Sequence, residues 1–122
     1  MLLFKKESFK LIGISMEIHR ILGPGFSEVV YKDALEYELI SNMILFEREK
    51  KFEIIYKDII LPHYFFADLV VFDSIIVEVK SVKEINDIHI GQTINYLKAS
   101  GLNLGIIINF GQSSLEYKRI VI

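Results

Sequence analysis

The segment VVFDSIIVEVKSV, residues 70–82, is β-rich and apolar apart from a turn signal at Asp73-Ser74, two charged residues in its second half and Ser81. Valine, isoleucine and phenylalanine favour strands, and Asp-Ser favours a turn, so the segment predicts a hairpin. Glu78 and Lys80 stand two apart in the second strand, and residues at that spacing point to the same face. Charges in a strand otherwise built for burial are unfavourable unless something compensates for them.

Asp68 lies across the predicted hairpin from Glu78, and the length of the loop decides whether the two share a face. A two-residue turn places Asp68 opposite Val79, on the other face. A three-residue loop (72–74), or a bulge, places Asp68 opposite Glu78. We predict the odd loop or the bulge, because only then do Asp68, Glu78 and Lys80 form one constellation.

Such a constellation suits phosphodiester hydrolysis. Two crowded carboxylates repel each other, and a divalent cation relieves that repulsion. Ligation by oxygen alone suits Mg²⁺ or Mn²⁺, which polarises a phosphoryl oxygen and lowers the pKa of bound water. The ammonium of Lys80 would orient that water and neutralise charge on the phosphate. The alternative is that Glu78 and Lys80 form a solvated ion pair. The loose spacing of the pattern, taken alone, favours the ion pair, whereas the apolar residues on either side favour a catalytic site.

The rest of the chain predicts an α/β sandwich around a mixed sheet, in the order ααβββαββ. Apolar spacing indicates helices over about 5–22, 27–42 and 84–100, with the Gly-Pro-Gly stretch at 23–25 ending the first helix and Gly101 ending the third. Alternating or continuously apolar runs indicate strands at 45–57, 59–72, 75–82, 103–110 and 114–122, the first of them near a sheet edge.

Composition narrows the functional classes. The 122 residues predict a single domain, 1–122, and 52% hydrophobic with 25% charged residues indicates a globular protein. No apolar run approaches the roughly 20 residues of a membrane span, and the charged start is unlike a signal peptide. The absence of cysteine excludes disulfides and fits a cytoplasmic protein. A net charge of −2 argues against a strong non-specific nucleic-acid binder.

The third predicted helix presents a polar face formed by His89, Gln92 and Tyr96, at helical spacing. Ile85, Ile88 and Leu97 would fill the opposite face. A solvent-exposed helix side explains the polar residues equally well, and for His89 that explanation is preferred, although we group all three as candidates for substrate contact or support.

Two further positions have open interpretations. Glu28 opens the second helix, where a carboxylate complements the helix dipole, yet it stands one turn before the inward stripe begun by Tyr31 and could be another metal ligand. The sequence alone favours neither the helix-dipole role nor the metal-ligand role of Glu28. His19 and His63 are predicted to be surface residues rather than ligands.

Several blocks together resemble a known family. GFSEVVY (25–31), ADLVVFDSIIVEVKSV (67–82), HIGQTINYLKASG (89–101) and LGIIINFG (104–111) are similar, in this order, to blocks of the GxxExxY proteins. That family is placed in the PD-(D/E)XK nuclease superfamily, near its RecB-like branch. The resemblance runs from about Ile12 to Ile122 and is carried by the combination of blocks.

The resemblance implies a restriction-endonuclease-like core, with a mixed sheet flanked by helices. It implies that Asp68 and Glu78 bind metal, that Lys80 is the catalytic lysine, and that Glu28 completes the site. Gln92 and Tyr96 would match the family's Q-x-x-x-Y helix motif, assigned to substrate contact and site support, and Tyr31 is the tyrosine of the opening motif.

The leading hypothesis is therefore a Mg²⁺- or Mn²⁺-dependent nuclease that acts on DNA through a metal-activated water. The small, slightly acidic surface suggests a compact substrate, a homodimer or a partner protein. A non-catalytic nucleic-acid- or protein-binding module that keeps the fold is the alternative, and hydrolysis of another phosphoester, such as a nucleotide or RNA, is a third hypothesis.

Overall fold

The computed structural model describes residues 3–122 and confirms the predicted order of elements. The elements are α1 (Lys5–Leu22), α2 (Glu28–Ser41), β1 (Phe46–Tyr56), β2 (Ile59–Val71), β3 (Ile75–Lys80), α3 (Asp87–Ser100), β4 (Leu104–Asn109) and β5 (Glu116–Val121). Within residues 3–122, no helix is both long and apolar enough to cross a membrane.

The five strands form one mixed sheet in the order β1-β2-β3-β4-β5. Strands β3 and β4 are parallel and the other neighbours are antiparallel. A parallel pair requires a crossover connection, which α3 supplies. The edge position predicted for the first strand is confirmed.

Helices cover both faces of the sheet, as an α/β sandwich requires. On one face, α1 and α2 contribute Leu11 and Leu35 to a cluster that includes Val77 of β3. On the other face, Leu97 of α3 packs in a second cluster with Ile76. The central strands β3 and β4 are buried on both sides, which explains the apolar runs at 75–77 and 106–108.

The β2–β3 connection is a three-residue loop, so the predicted odd loop is confirmed. Val71 pairs with Ile75 and Leu69 pairs with Val77, which leaves 72–74 in the loop and puts Asp68 opposite Glu78 by extension of the register. Two loop residues, Phe72 and Asp73, have positive φ angles of 57° and 56°. This left-handed backbone closes the loop without shifting the register.

In strands β1 and β2 the regular alternation of side chains between the two sides of the sheet is interrupted at one point, which we call the turnover. Leu69 packs on the side of α1 and α2, whereas Ala67, two residues earlier, packs on the side of α3. Residues two apart on a regular strand share a face, so β2 turns over at Asp68. Strand β1 does the same between Phe46 and Phe52, and Glu49 between them has a φ angle of 53°.

Three details differ from the sequence prediction. The third helix begins at Asp87 instead of 84, and Ile88 is 79% exposed, so the placement of Ile88 in the core was wrong. Asn86 caps the helix and sets its start, which turns Thr93 and Leu97 to the sheet. The prediction of a surface His19 was also wrong.

His19 is buried, and its Nε2 lies 2.8 Å from the carbonyl oxygen of Gln112. Its ring also packs against Phe110 of the segment that follows β4, with centroids 6.2 Å apart. A tertiary contact with a distant segment therefore buries this histidine. His63 is exposed, as predicted.

Candidate active site

Asp68 and Glu78 meet where the β2–β3 ladder ends. The Asp68 N–H donates a hydrogen bond to Oε2 of Glu78 at 2.8 Å, and the Val79 N–H donates one to Oδ2 of Asp68 at 2.8 Å. Each carboxylate thus accepts from the backbone of the opposite strand. The three-residue loop and the turnover of β2 at Asp68 bring the two acidic side chains together.

Glu78 is electrostatically unusual. The residue is only 3% exposed. Burial, followed by repulsion from the charge of Asp68, raises the pKa of Glu78 to about 8, although the Asp68 N–H and the charges of Lys80 and Lys32 partly offset these effects. A buried carboxylate beside a second carboxylate is unstable as an anion unless a cation accompanies it.

Lys80 and two residues of α3 lie on the same side of the sheet as Glu78. The Nζ of Lys80 is 3.5 Å from Oε1 of Gln92, at the outer limit of a hydrogen bond. Burial and then the charges of Glu78 and Asp68 raise the pKa of Tyr96, so its phenol lies within the electrostatic reach of both carboxylates. The structure therefore places Gln92 beside Lys80 and Tyr96 near the two carboxylates, and their roles in substrate contact or support stay predictions.

An aromatic stack fixes the Tyr96 ring. It lies parallel to Phe65 of β2, with centroids 3.9 Å apart, and Phe65 in turn stacks on Phe52 of β1 at 5.4 Å. The turnover of β1 and β2 brings both phenylalanines to this side of the sheet. The stack therefore ties the hairpin to α3 beside the carboxylates.

His89 has a structural role in this arrangement. Its Nδ1 accepts from the Asn86 N–H at 3.2 Å, while Oδ1 of Asn86 accepts from the His89 N–H at 3.1 Å. This reciprocal capping box satisfies amides that the start of α3 leaves unpaired. His89 is half-buried rather than on the solvent-exposed helix side preferred above, and its role in substrate contact or support stays a prediction.

Tyr31 supports a loop rather than facing the carboxylates. The side chain is fully buried and stacks on Phe110, with centroids 4.4 Å apart. Its hydroxyl donates to the carbonyl oxygen of Gly23 at 2.5 Å and accepts from the Phe26 N–H at 3.3 Å. The tyrosine of the opening motif thus fixes the Gly-Pro-Gly-Phe connection between α1 and α2. Of the two roles grouped for it, support fits this position.

Glu28 is half-buried at the first position of α2. The structure shows no hydrogen bond between it and the Asp68–Glu78 pair. Across residues 3–122, no group of three or more His, Cys, Asp or Glu side chains is gathered closely enough to hold a metal ion. The role of Glu28 as a third carboxylate ligand stays a prediction.

Sequence reasoning missed Lys32, which reaches Asp68 from α2. Its Nζ donates to Oδ1 of Asp68 at 3.1 Å and also forms an ion pair with Glu49 of β1. Burial lowers the pKa of Lys32, but hydrogen bonds and charges from Glu49 and Asp68 outweigh burial, so the pKa is raised overall. The available signal was the spacing of four between Lys32 and Glu28, which puts both on one helix face.

Asn109 is a second residue that was missed. This fully buried amide at the end of β4 accepts from the N–H groups of Val82 and Gly111, at 2.9 and 3.0 Å. It donates to the Val82 carbonyl at 3.0 Å and to Glu116 at 2.9 Å. Asn109 pairs with Lys80 in the sheet register, so it fixes the end of β3 from which Lys80 projects. A lone polar residue closing an apolar run was the signal.

The donor set fits a hard divalent cation. Asp68 and Glu78 supply only carboxylate oxygens, and the burial of Glu78 disfavours its anion without a nearby cation. Oxygen-only sets of this kind suit Mg²⁺ or Mn²⁺. Asp68 and Glu78 would hold the ion, and Lys80 lies two residues along the same strand.

Comparison with known proteins gives two results. The family model of the PD-(D/E)XK nuclease superfamily matches residues 5–120. Among solved structures, the crystal structure of SSO0001 is similar in fold, with a TM-score of 0.59 and 23% sequence identity over 97% of this chain. The chain spans 59% of the length of SSO0001. No curated protein matches the sequence.

Proposed function

The chain belongs to the PD-(D/E)XK nuclease superfamily. We therefore propose that it is a metal-dependent phosphodiesterase that cleaves DNA, with an active site formed by Asp68, Glu78 and Lys80. The observation that carries this proposal is the hydrogen-bonded Asp68–Glu78 pair, in which Glu78 is almost fully buried. We further propose that residues 1–122 form one domain of the GxxExxY family, near the RecB-like branch. The order and content of the quoted sequence blocks support that finer placement.

Each side chain has a defined part in the proposed chemistry. When bound, Mg²⁺ or Mn²⁺ would polarise a phosphoryl oxygen and activate a water molecule. Asp68 and Glu78 would hold the ion, and Glu28 would join them from the start of α2. Lys80 would place a positive charge near the phosphate, where negative charge develops in the transition state.

The α3 residues support this arrangement. Gln92 is positioned to steady the ammonium of Lys80 and to contact substrate from its exposed helix face. The phenol of Tyr96 borders the carboxylates, and its stacking on Phe65 holds it there. These two residues would orient the reacting groups without exchanging protons with them.

The substrate proposal takes account of size and charge. A chain of 122 residues with a net charge of −2 offers little surface for a long duplex. A compact or branched DNA, a second copy of the chain or a partner protein would supply the remaining contacts. A non-catalytic module that keeps the fold is the alternative function, although Asp68, Glu78 and Lys80 are all present.

The test is a cleavage assay with matched variants. Supercoiled, linear, single-stranded and branched DNA are incubated with Mg²⁺ or Mn²⁺ and wild-type protein, Glu78→Ala or Lys80→Ala. Lys83→Ala serves as the control, because Lys83 is exposed and follows β3 by only three residues. We expect cleavage by wild type and Lys83→Ala alone. Equal cleavage by wild type and Glu78→Ala would identify a contaminating nuclease and contradict the proposal.

A further inference from the structure

Lys32 holds one oxygen of Asp68 in the structure. Its Nζ donates to Oδ1 of Asp68 at 3.1 Å, and only 13% of the Lys32 side chain is exposed. The other oxygen, Oδ2, accepts from the Val79 N–H. Both oxygens of Asp68 are therefore engaged, one by a backbone amide and one by a positive charge.

Glu49 forms the other half of the Lys32 contact. It lies opposite Asp68 in the β1–β2 register, since Arg48 pairs with Leu69 and Lys50 pairs with Ala67. The φ angle of Glu49 is 53°, in the left-handed region that non-glycine residues seldom adopt within a strand. This backbone conformation coincides with the turnover of the two strands and with the ion pair between Glu49 and Lys32.

A divalent cation bound to Asp68 would lie close to the ammonium of Lys32, which already contacts that carboxylate. Like charges a few ångströms apart repel strongly at a partly buried site, where the effective dielectric constant is well below that of water. The ammonium must therefore give up its contact with Asp68 as the ion binds. Glu49, which already forms an ion pair with Lys32, is the second partner that retains the ammonium.

We propose that Lys32 is a resident cation that competes with the divalent ion for Asp68, and that Glu49 retains the ammonium when the ion binds. This inference rests on the metal site proposed above. Lys32 and Glu49 then set the metal affinity in opposite directions. Lys32 weakens binding, and Glu49 strengthens it by stabilising the displaced ammonium.

A purely structural role for Lys32 predicts the opposite sign. If Lys32 only tethered Asp68 in its binding position, its removal would weaken metal binding. Competition predicts that its removal strengthens binding, because the carboxylate becomes available without displacement of a charge. The direction of the change therefore separates the two roles.

The experiment is a calorimetric titration of the full chain with Mg²⁺, starting from protein freed of metal by EDTA and dialysis. The variants are Lys32→Met, Lys32→Arg and Glu49→Gln. Arg48→Gln controls for the loss of a positive charge, since Arg48 bridges β1 to Asp33 and Glu36 of α2 without contacting Asp68. Glu47→Gln controls for the loss of a negative charge from β1, because Glu47 pairs with Lys50 and not with Lys32. Thermal melts in EDTA verify that each variant is folded.

We expect Lys32→Met to bind Mg²⁺ about tenfold more tightly than wild type, a change of ~1.4 kcal/mol. Lys32→Arg should bind as weakly as wild type, because it keeps the charge. Glu49→Gln should bind more weakly than Glu47→Gln, and Arg48→Gln should stay close to wild type.

Several outcomes overturn the inference. Weaker binding by Lys32→Met than by wild type would establish the tether, and equal affinities in all variants would show that Lys32 has no influence on the ion. If Arg48→Gln gained as much affinity for Mg²⁺ as Lys32→Met, the gain would be explained by the loss of any nearby positive charge and not by competition at Asp68. Failure of every protein, including Lys32→Met, to bind Mg²⁺ would remove both this inference and the proposed metal site. The other outcomes remove only the inference.

Discussion

Asp68 and Glu78 join β2 to β3 through their side chains, with the Asp68 N–H donating to Glu78 Oε2 at 2.8 Å. Oδ2 of Asp68 returns a contact to the same region of β3 by accepting from the Val79 N–H at 2.8 Å. The regular ladder ends one residue earlier, at Leu69 and Val77. Hydrogen bonds of two acidic side chains therefore continue the contact between β2 and β3 where the regular ladder ends. The charge state of these side chains affects both the stability of the fold and the proposed chemistry.

Stability without metal should fall as the pH rises, because of Glu78. Its pKa is raised to about 8 in the folded protein from an ordinary value of 4.5, so the folded state keeps a proton that the unfolded state releases. The associated stability is fully present below pH 4.5 and is lost as the pH approaches 8, by at most about 1.4 kcal/mol per pH unit. Urea unfolding in EDTA between pH 5 and 9 measures this loss.

The matched variant for this prediction is Glu78→Gln, which cannot ionise. The difference in unfolding free energy between wild type and Glu78→Gln should shift in favour of the variant as the pH rises. A difference that stays constant from pH 5 to 9 would show that Glu78 does not retain a proton in the folded state.

Replacement of Lys80 by methionine should separate chemistry from metal binding. The side chain keeps its length but loses its charge, so we expect cleavage to slow by about 10²- to 10³-fold. Single-turnover assays at saturating Mn²⁺ measure the rate, and calorimetry measures the affinity for the ion. A large loss of metal affinity in Lys80→Met would contradict the assignment of Lys80 to the reacting phosphate.

Tyr31→Phe should destabilise the connection between the first two helices. The hydroxyl of Tyr31 bonds both Gly23 and Phe26, so its removal should cost about 1–2 kcal/mol of unfolding free energy. Denaturant unfolding tests this, with Tyr37→Phe as the control because Tyr37 is exposed on the same helix. An equal effect of the two substitutions would rule out a special role for the Tyr31 hydroxyl.

Asn109→Leu should be strongly destabilising despite the similar side-chain volume. The substitution leaves the N–H groups of Val82, which follows β3, and Gly111, which follows β4, without their acceptor. Unsatisfied buried groups of this kind cost roughly 1–3 kcal/mol each, so a loss of about 2–6 kcal/mol is expected for the two. Asn95→Leu, at an exposed position of α3, is the control and should change stability little.

The sequence predicted the sheet, the hairpin and its odd loop, because these follow from local periodicity and from the parity of strand positions. The same parity argument could not find Glu49. It assumes that faces alternate regularly, whereas β1 and β2 turn over at Glu49 and Asp68. Lys32 escaped notice for a related reason, since its partners lie on two different strands.

Other misses have equally specific causes. Helical periodicity placed Ile88 in the core, but the Asn86 capping box begins α3 three residues later than expected and leaves Ile88 exposed. His19 was assigned to the surface because nothing in its helix indicates a partner. Its partner, the Gln112 carbonyl, is 93 residues away. Local patterns do not carry such long-range contacts.

Metal titration tests the central claim most directly, because it requires no knowledge of the substrate. Wild type, Asp68→Asn and Asp73→Asn are titrated with Mn²⁺ by calorimetry. Asp73 is an exposed aspartate in the neighbouring loop with a left-handed backbone that asparagine also tolerates, so Asp73→Asn matches the change in charge. We predict binding by wild type and Asp73→Asn and none by Asp68→Asn. Equal binding by all three proteins would contradict the assignment of Asp68 and Glu78 as a metal-dependent active site.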